Sequence, residues 1–322
     1  MNTFSTPDKA LEYIQSLSWG NAAGTCKNLK TAERFARTGM RVVTYGSYTM
    51  EPREGNTGNN FFYDEKTGNS INALGIPNQG HEATLPLLRK ICQSVNDAGA
   101  NFCVSISAGN KFDPEEYHYM AADIASYNAA NIVEGNFSCG NMVVDGKFKP
   151  IVCFDSDAFR EGVASLKNGA GGLLTAIKHA PITEARFLIP NIKACVDIGI
   201  DYVILANTIP NSYLEKELGK PAINMGRGGL GGKALIPIVS GMLMQAREIV
   251  KGTKTKLIAA GGIDSGLDAY KYLCLGAHGF QFNTALSRRN LDPKVAQEII
   301  MGDKSVGHTG LVDYLVEYGL PD

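Results

Sequence analysis

Eight short runs rich in β-branched and aromatic residues recur along the chain, each closing in Gly, Asn, Ser, Thr or a neighbouring polar position. They span 19–24, 41–46, 101–107, 132–139, 172–178, 201–208, 256–262 and 279–286. Amphipathic stretches at 83–98, 114–129, 157–167, 182–198, 233–250 and 266–275 read as helices between most of them. A run such as Tyr202-Val203-Ile204-Leu205-Ala206 is apolar on both faces, as a parallel sheet covered by helices requires. This alternation predicts an α/β fold, a (β/α)8 TIM barrel, over an open doubly wound sheet. No glycine-rich turn opening a helix follows the first strand, so the dinucleotide fingerprint is missing. Extra chain at 47–82 and 210–232 predicts insertions at the C-terminal face, where barrel enzymes carry their chemistry. With no linker, repeat or low-complexity tract, residues 1–322 read as a single domain.

Composition narrows the function classes. Of 322 residues, 44% are hydrophobic and 20% charged, which suits a folded protein with a large core. Lys and Arg number 31 against 32 Asp and Glu, with no basic block, so the phosphate-neutralising stripe of a nucleic-acid binder is missing. The longest apolar stretch, 235–244, holds Pro237, Ser240 and Gly241 and falls far short of the roughly 20 residues of a membrane span. The opening residues Met1-Asn2-Thr3-Phe4-Ser5 lack the basic and apolar regions of a signal peptide, which predicts a cytoplasmic protein. Seven cysteines run from Cys26 to Cys274 without a C-x-x-C pair, suggesting neither a disulfide framework nor a zinc site.

In a barrel the C-terminal strand ends converge on one mouth. Here they read Asn21-Ala22-Ala23-Gly24, Thr44-Tyr45-Gly46-Ser47, Asn136-Phe137-Ser138-Cys139-Gly140-Asn141, Lys178 and Asn207-Thr208. One thiol, one ammonium and many amides suit a planar heterocycle with carbonyl and imide edges, because amides both donate and accept. Nothing there has metal-ligand spacing, so no metal is expected. The last two strands close with Ala260-Gly261-Gly262 and Asn283-Thr284, preceded by Gly228-Gly229-Leu230-Gly231-Gly232. Adjacent glycines let backbone N–H groups approach an anion, at the two units where barrels commonly hold phosphate. A phosphorylated cofactor is the expectation.

Taken in order, these segments resemble the class 1, cytosolic branch of the dihydroorotate dehydrogenase family. Its other carriers are Arg53-Glu54-Gly55-Asn56, the run from Ser70 through Asn72-Ala73-Leu74-Gly75-Ile76 to Asn78, and Thr284-Ala285-Leu286. The resemblance covers nearly the whole chain and implies an FMN-dependent barrel that oxidises dihydroorotate to orotate in pyrimidine biosynthesis. It implies that Cys139 is the base removing the C5 proton and that Lys178 faces the flavin onto which hydride passes. An ammonium at that position would stabilise negative charge developing on the flavin. Residues implied to hold FMN are Ala22, Ala23, Gly24, Thr44, Tyr45, Asn136, Lys178, Thr208, Gly231, Gly232, Gly261, Gly262, Asn283 and Thr284. Those implied to hold the pyrimidine are Asn72, Leu74, Gly75, Ile76, Asn136, Asn141, Asn207 and Thr208. A homodimer using a soluble acceptor such as fumarate is the simpler assembly, since the chain has no cysteine cluster for an iron–sulfur centre.

The chain also departs from that family. Tyr45 stands where the family usually has a lysine, implying a site poorer by one positive charge. The segment after Gly55-Asn56 lacks two prolines and an arginine, Gly140 replaces a proline after Cys139, and Asn283 replaces a glycine. Two alternatives therefore stay open: a flavin oxidoreductase for a dihydropyrimidine or cyclic amide without the carboxylate, and a non-catalytic barrel.

Overall fold

The computed structural model describes residues 4–144 and 146–321. Of the N-terminal segment read above, Met1–Thr3 lie outside the described residues. Eight parallel strands close into a barrel: β1 Ser18–Asn21, β2 Val42–Tyr48, β3 Asn101–Ile106, β4 Ile132–Asn136, β5 Leu174–Lys178, β6 Tyr202–Leu205, β7 Lys256–Ala260 and β8 Gly279–Phe282. Each strand pairs with its sequence neighbours in this series, and β8 returns to β1 with Trp19 opposite Phe280. The expected TIM barrel is the observed fold.

Six of the eight strands end earlier than their sequence runs, β5 ends at Lys178 as expected, and β2 runs on to Tyr48. Val133 and Ile204 are buried on both faces and fit the pleat, whereas the Asn, Ser, Thr and Gly that follow bond locally and turn the backbone out of the ladder. The expected helices form, as Gly80–Asp97, Pro114–Ser126, Ser156–Gly169, Ala185–Ile198, Ile236–Val250 and Gly266–Cys274. Several start at a side-chain cap: Asp113 accepts from Glu115 N at 2.9 Å, and Asp155 accepts from Ala158 N at 3.1 Å. A further helix, Leu29–Ala36, fills the gap between β1 and β2, where Asn28 caps it through Thr31 N at 2.9 Å.

The two insertions meet each other. Phe61–Asp64 and Asn69–Asn72 form a hairpin, and Asn69–Asn72 pairs antiparallel with Gly228–Gly232, which pairs in turn with Ile209–Ser212. The glycine run expected as a phosphate loop is thus a strand of a small sheet over the mouth. Close approach explains its composition: a Cβ on Gly229 would lie 2.0 Å from Thr208 Oγ1. No helix among the described residues is long and apolar enough to cross a membrane.

Candidate active site

Beneath that sheet lies a cavity of about 660 Å³, within the ordinary range for small-molecule sites. It is lined by every residue expected above except Thr44 and Tyr45. From β1 come Ala22, Ala23 and Gly24; from the insertions Asn72, Leu74, Gly75, Ile76, Gly231 and Gly232; from β4 and its loop Asn136, Cys139 and Asn141. Lys178 ends β5, Asn207 and Thr208 follow β6, Gly261 and Gly262 follow β7, and Asn283 and Thr284 follow β8.

The loop after β4 is positioned by an aromatic anchor. Phe137 is 1% exposed, stacks on Tyr117 with ring centroids 4.4 Å apart and meets Phe159 edge-on. Such an anchor is worth about 3–5 kcal/mol against alanine, and the Tyr117 hydroxyl donates to Asn136 O at 3.2 Å. With Phe137 turned into the helix layer, its neighbours face the mouth. Asn136 Oδ1 accepts from Ser138 N at 3.2 Å and Ser138 Oγ at 2.8 Å, and Asn207 Nδ2 donates to Ser138 Oγ at 2.9 Å. Across the cavity Asn141 Nδ2 donates to Asn72 O at 3.1 Å, joining the β4 loop to the small sheet. The rim at Leu74–Ile76 holds Ile76 at φ 54°, a backbone unfavourable for a β-branched residue. It is secured by Asn78 Nδ2 donating to Ile76 O at 2.9 Å and Arg53 Nε to Gly75 O at 3.1 Å.

Cys139 is half-buried in this loop, and burial pushes its thiol up from the ordinary value. Backbone N–H groups of Asn141 and Met142 and the nearby Lys149 and Arg53 charges oppose that rise. The Lys149 ammonium sits on Ala108 O at 3.2 Å and Gly109 O at 2.6 Å.

Lys178 is 4% exposed on the barrel axis, where burial pulls its ammonium down from the ordinary value and the Glu134 carboxylate supports it. The two are joined through an amide: Lys178 Nζ donates to Gln281 Oε1 at 3.3 Å, and Gln281 Nε2 donates to Glu134 Oε2 at 3.0 Å. The chain continues from Ser105 Oγ, which donates to Glu134 Oε1 at 2.7 Å and bonds Ser47 Oγ at 2.8 Å, to Asn136 Nδ2 on Ser47 Oγ at 2.9 Å. One hydrogen-bonded network therefore runs under the cavity floor from the ammonium to the asparagine beside Cys139. Sequence reading missed Glu134, Gln281 and Ser105, and named Ser47 only as part of a strand end. The available signal was a polar residue at an inward position of an apolar strand, as in Ile132-Val133-Glu134-Gly135 and Gly279-Phe280-Gln281-Phe282.

Two expectations are corrected by strand parity. Thr44 points into the barrel below the floor, beside Cys103 and Ile132, and its backbone is pinned by Asn21, which accepts from Thr44 N at 2.9 Å. Tyr45 points the other way, into the layer between barrel and helices, 8% exposed with its ring 6.4 Å from Phe102. Alternate residues of a strand face opposite sides, so a side chain at position 45 cannot enter the cavity while Thr44 faces the axis. The site is not poorer in charge either, because Lys27, from the loop after β1, lines the cavity. Tyr45→Lys should accordingly place an ammonium in the apolar layer and cost at least about 2 kcal/mol in urea unfolding. Wild-type stability for that variant would contradict the placement.

The opposite wall is suited to close backbone approach. Gly262 has φ 73°, and a Cβ there would lie 2.5 Å from Ile236 Cγ1. Ser70 Oγ and Thr284 Oγ1 stand 2.9 Å apart over Gly231, where a Cβ would meet them at 3.0 and 3.3 Å. Glycines keep this cradle open for a ligand's polar end, and the deep ammonium and amides fit a planar, electron-rich ring. Among the described residues no cluster of three or more His, Cys, Asp or Glu is arranged to hold a metal.

Comparison with known proteins agrees with this geometry. A chain from Citrifermentans bemidjiense named dihydroorotate dehydrogenase B (NAD(+)), catalytic subunit, is 29% identical over 253 residues, 78% of this chain and 76% of the relative. A putative dihydroorotate dehydrogenase A (fumarate) of Pediococcus pentosaceus is 28% identical over 291 residues, 88% of both chains. The crystal structure of DHODH from Eimeria tenella in complex with ferulenol superposes with a TM-score of 0.75 at 21% identity, covering 92% of this chain and 84% of that one, a likeness of fold. The family model for dihydroorotate dehydrogenase matches residues 11–305, which include every cavity residue named above. The chain therefore belongs to the dihydroorotate dehydrogenase family, flavin-dependent oxidoreductases acting on a CH–CH group.

Proposed function

We propose that this protein oxidises dihydroorotate to orotate, a step of pyrimidine biosynthesis, with FMN held in the cavity. The observation that carries the reading is the joint placement of the Cys139 thiol and the Lys178 ammonium in one chamber framed by asparagines. Lys178, Asn136, Thr208, Ala22–Gly24 and the wall of Gly231, Gly232, Gly261, Gly262, Asn283 and Thr284 hold the FMN. Asn72, Asn136, Asn141, Asn207 and Thr208 hold the pyrimidine, with backbone contacts from Leu74, Gly75 and Ile76. The chemistry that FMN supplies when bound is acceptance of the C6 hydride at N5.

Oxidation of the C5–C6 bond removes a proton from C5 and a hydride from C6, so the chain must supply a base on the ring face away from the flavin. Cys139, as thiolate, takes the C5 proton. The asparagine frame fixes the ring so that this proton faces the sulfur, which is the positioning share of the rate. The Lys178 charge stabilises electron density arriving on the flavin side, and Glu134, through Gln281, keeps that ammonium in place.

We place the protein in the cytoplasm as a single-domain homodimer, passing electrons to a soluble acceptor such as fumarate, the acceptor named for the Pediococcus relative. Steady-state assays with dihydroorotate and dihydrouracil as donors test the reading. The expected result is turnover with dihydroorotate and little with dihydrouracil; the reverse preference would reassign the donor to a ring without a carboxylate.

A further inference from the structure

The cavity has two lining cations among the described residues, and Lys178 is engaged in the floor network. The other, Lys27, has no assigned role. Its Nζ donates to Ser47 O at 2.6 Å, and among the described residues no carboxylate pairs with it. An ammonium has three N–H donors, so this contact leaves two unaccounted for. Ser47 is also the residue whose Oγ takes Asn136 Nδ2 at 2.9 Å, which places Lys27 on the pyrimidine side of the cavity near Cys139.

Holding a cation there is costly. Burial pushes the Lys27 ammonium down to about 8, with the Cys26 and Cys139 thiol groups acting against the shift. A lysine whose charge is penalised and which meets only a carbonyl has its missing stabilisation to gain from an incoming anion. The loop carrying it is fixed on both sides: Thr25 Oγ1 donates to Ala22 O at 2.8 Å, and Asn28 caps the following helix. Lys27 thus reaches the site from β1, independently of position 45, which strand parity turns outward.

We propose that Lys27 is the anion contact of this site, its ammonium holding the carboxylate of the ring substrate and selecting carboxylated over plain pyrimidines. The identity of that carboxylate rests on the dihydroorotate reading; the contact itself does not. The test is equilibrium binding to the flavin-loaded enzyme, followed by calorimetry, with orotate and uracil as probes for wild type, Lys27→Gln and Lys27→Arg. Wild type should bind orotate more tightly than uracil. Lys27→Gln should weaken orotate by about 10–100-fold, the loss expected for one charge-assisted hydrogen bond, and leave uracil within about twofold. Lys27→Arg should recover part of the orotate affinity, which separates a lost charge from a damaged loop. Unchanged orotate binding in Lys27→Gln, an equal loss for uracil, or a wild type indifferent to the carboxylate would each overturn the assignment. If orotate binding depends on Lys27 but dihydroorotate fails to reduce the wild-type flavin, the contact stands and the proposed donor falls. If reduction proceeds and Lys27→Gln binds orotate normally, the donor stands and the contact falls.

Discussion

Replacing Cys139 with serine should slow reduction of the bound flavin by dihydroorotate by about 10²–10⁴-fold, the share that a positioned general base contributes. Flavin content should stay near wild type, because Cys139 lies on the β4 loop and not on the glycine wall. The pH profile carries the sharper signature. Burial raises this thiol, so at neutral pH little of it is thiolate. A base must be unprotonated to act, so the reduction rate in the wild type should climb with pH through and beyond the ordinary thiol range. Serine has no ionisation there, and in Cys139→Ser the climb should vanish along with the rate. Stopped-flow reduction across pH reads both; a serine variant that keeps the wild-type rate and profile would remove Cys139 from the chemistry.

Lys178→Met should show two separable losses. Flavin reduction should fall by about 10²–10³-fold, the usual cost of deleting one donor aimed at developing negative charge. Stability should fall too, by about 3 kcal/mol or more, because the fully buried Glu134 carboxyl then loses the cation of its network. Adding Glu134→Gln to the methionine variant removes the unpartnered carboxyl while leaving an amide to bond Gln281 and Ser105. The double variant should recover most of the unfolding free energy in urea and none of the reduction rate. Recovery of both would make Lys178 a structural residue only, and recovery of neither would break the proposed link between Lys178 and Glu134.

The barrel was legible because strands are announced by apolar runs, on both faces at Val203–Leu205, and most stops by Gly, Asn, Ser or Thr that favour turns. The same stops marked the cavity, since Asn136, Lys178 and Asn207 are conspicuous at the ends of apolar strands. Facing was less legible. Thr44-Tyr45-Gly46-Ser47 reads as one polar strand end, yet the period of two sends Thr44 to the axis and Tyr45 to the helix layer, and a register shift between Gly46 and Tyr48 breaks that period and turns Ser47 back to the cavity. The floor network lay hidden for a related reason: Glu134 and Gln281 sit inside strands that otherwise read as core, and the two bonded residues are 147 positions apart in the chain. The pairing of the two insertions into one sheet is likewise a long-range contact that no local pattern announces. Lys27 went unnoticed because a lysine in a turn ordinarily belongs to solvent.

In the proposed function, bound flavin takes electrons from dihydroorotate in this cavity. This transfer is tested most directly by anaerobic titration of the purified, FMN-loaded protein with dihydroorotate, following the oxidised-flavin absorption band. The expected result is full bleaching at one dihydroorotate per flavin, with orotate released in equal amount. A flavin that stays oxidised under excess dihydroorotate would contradict it.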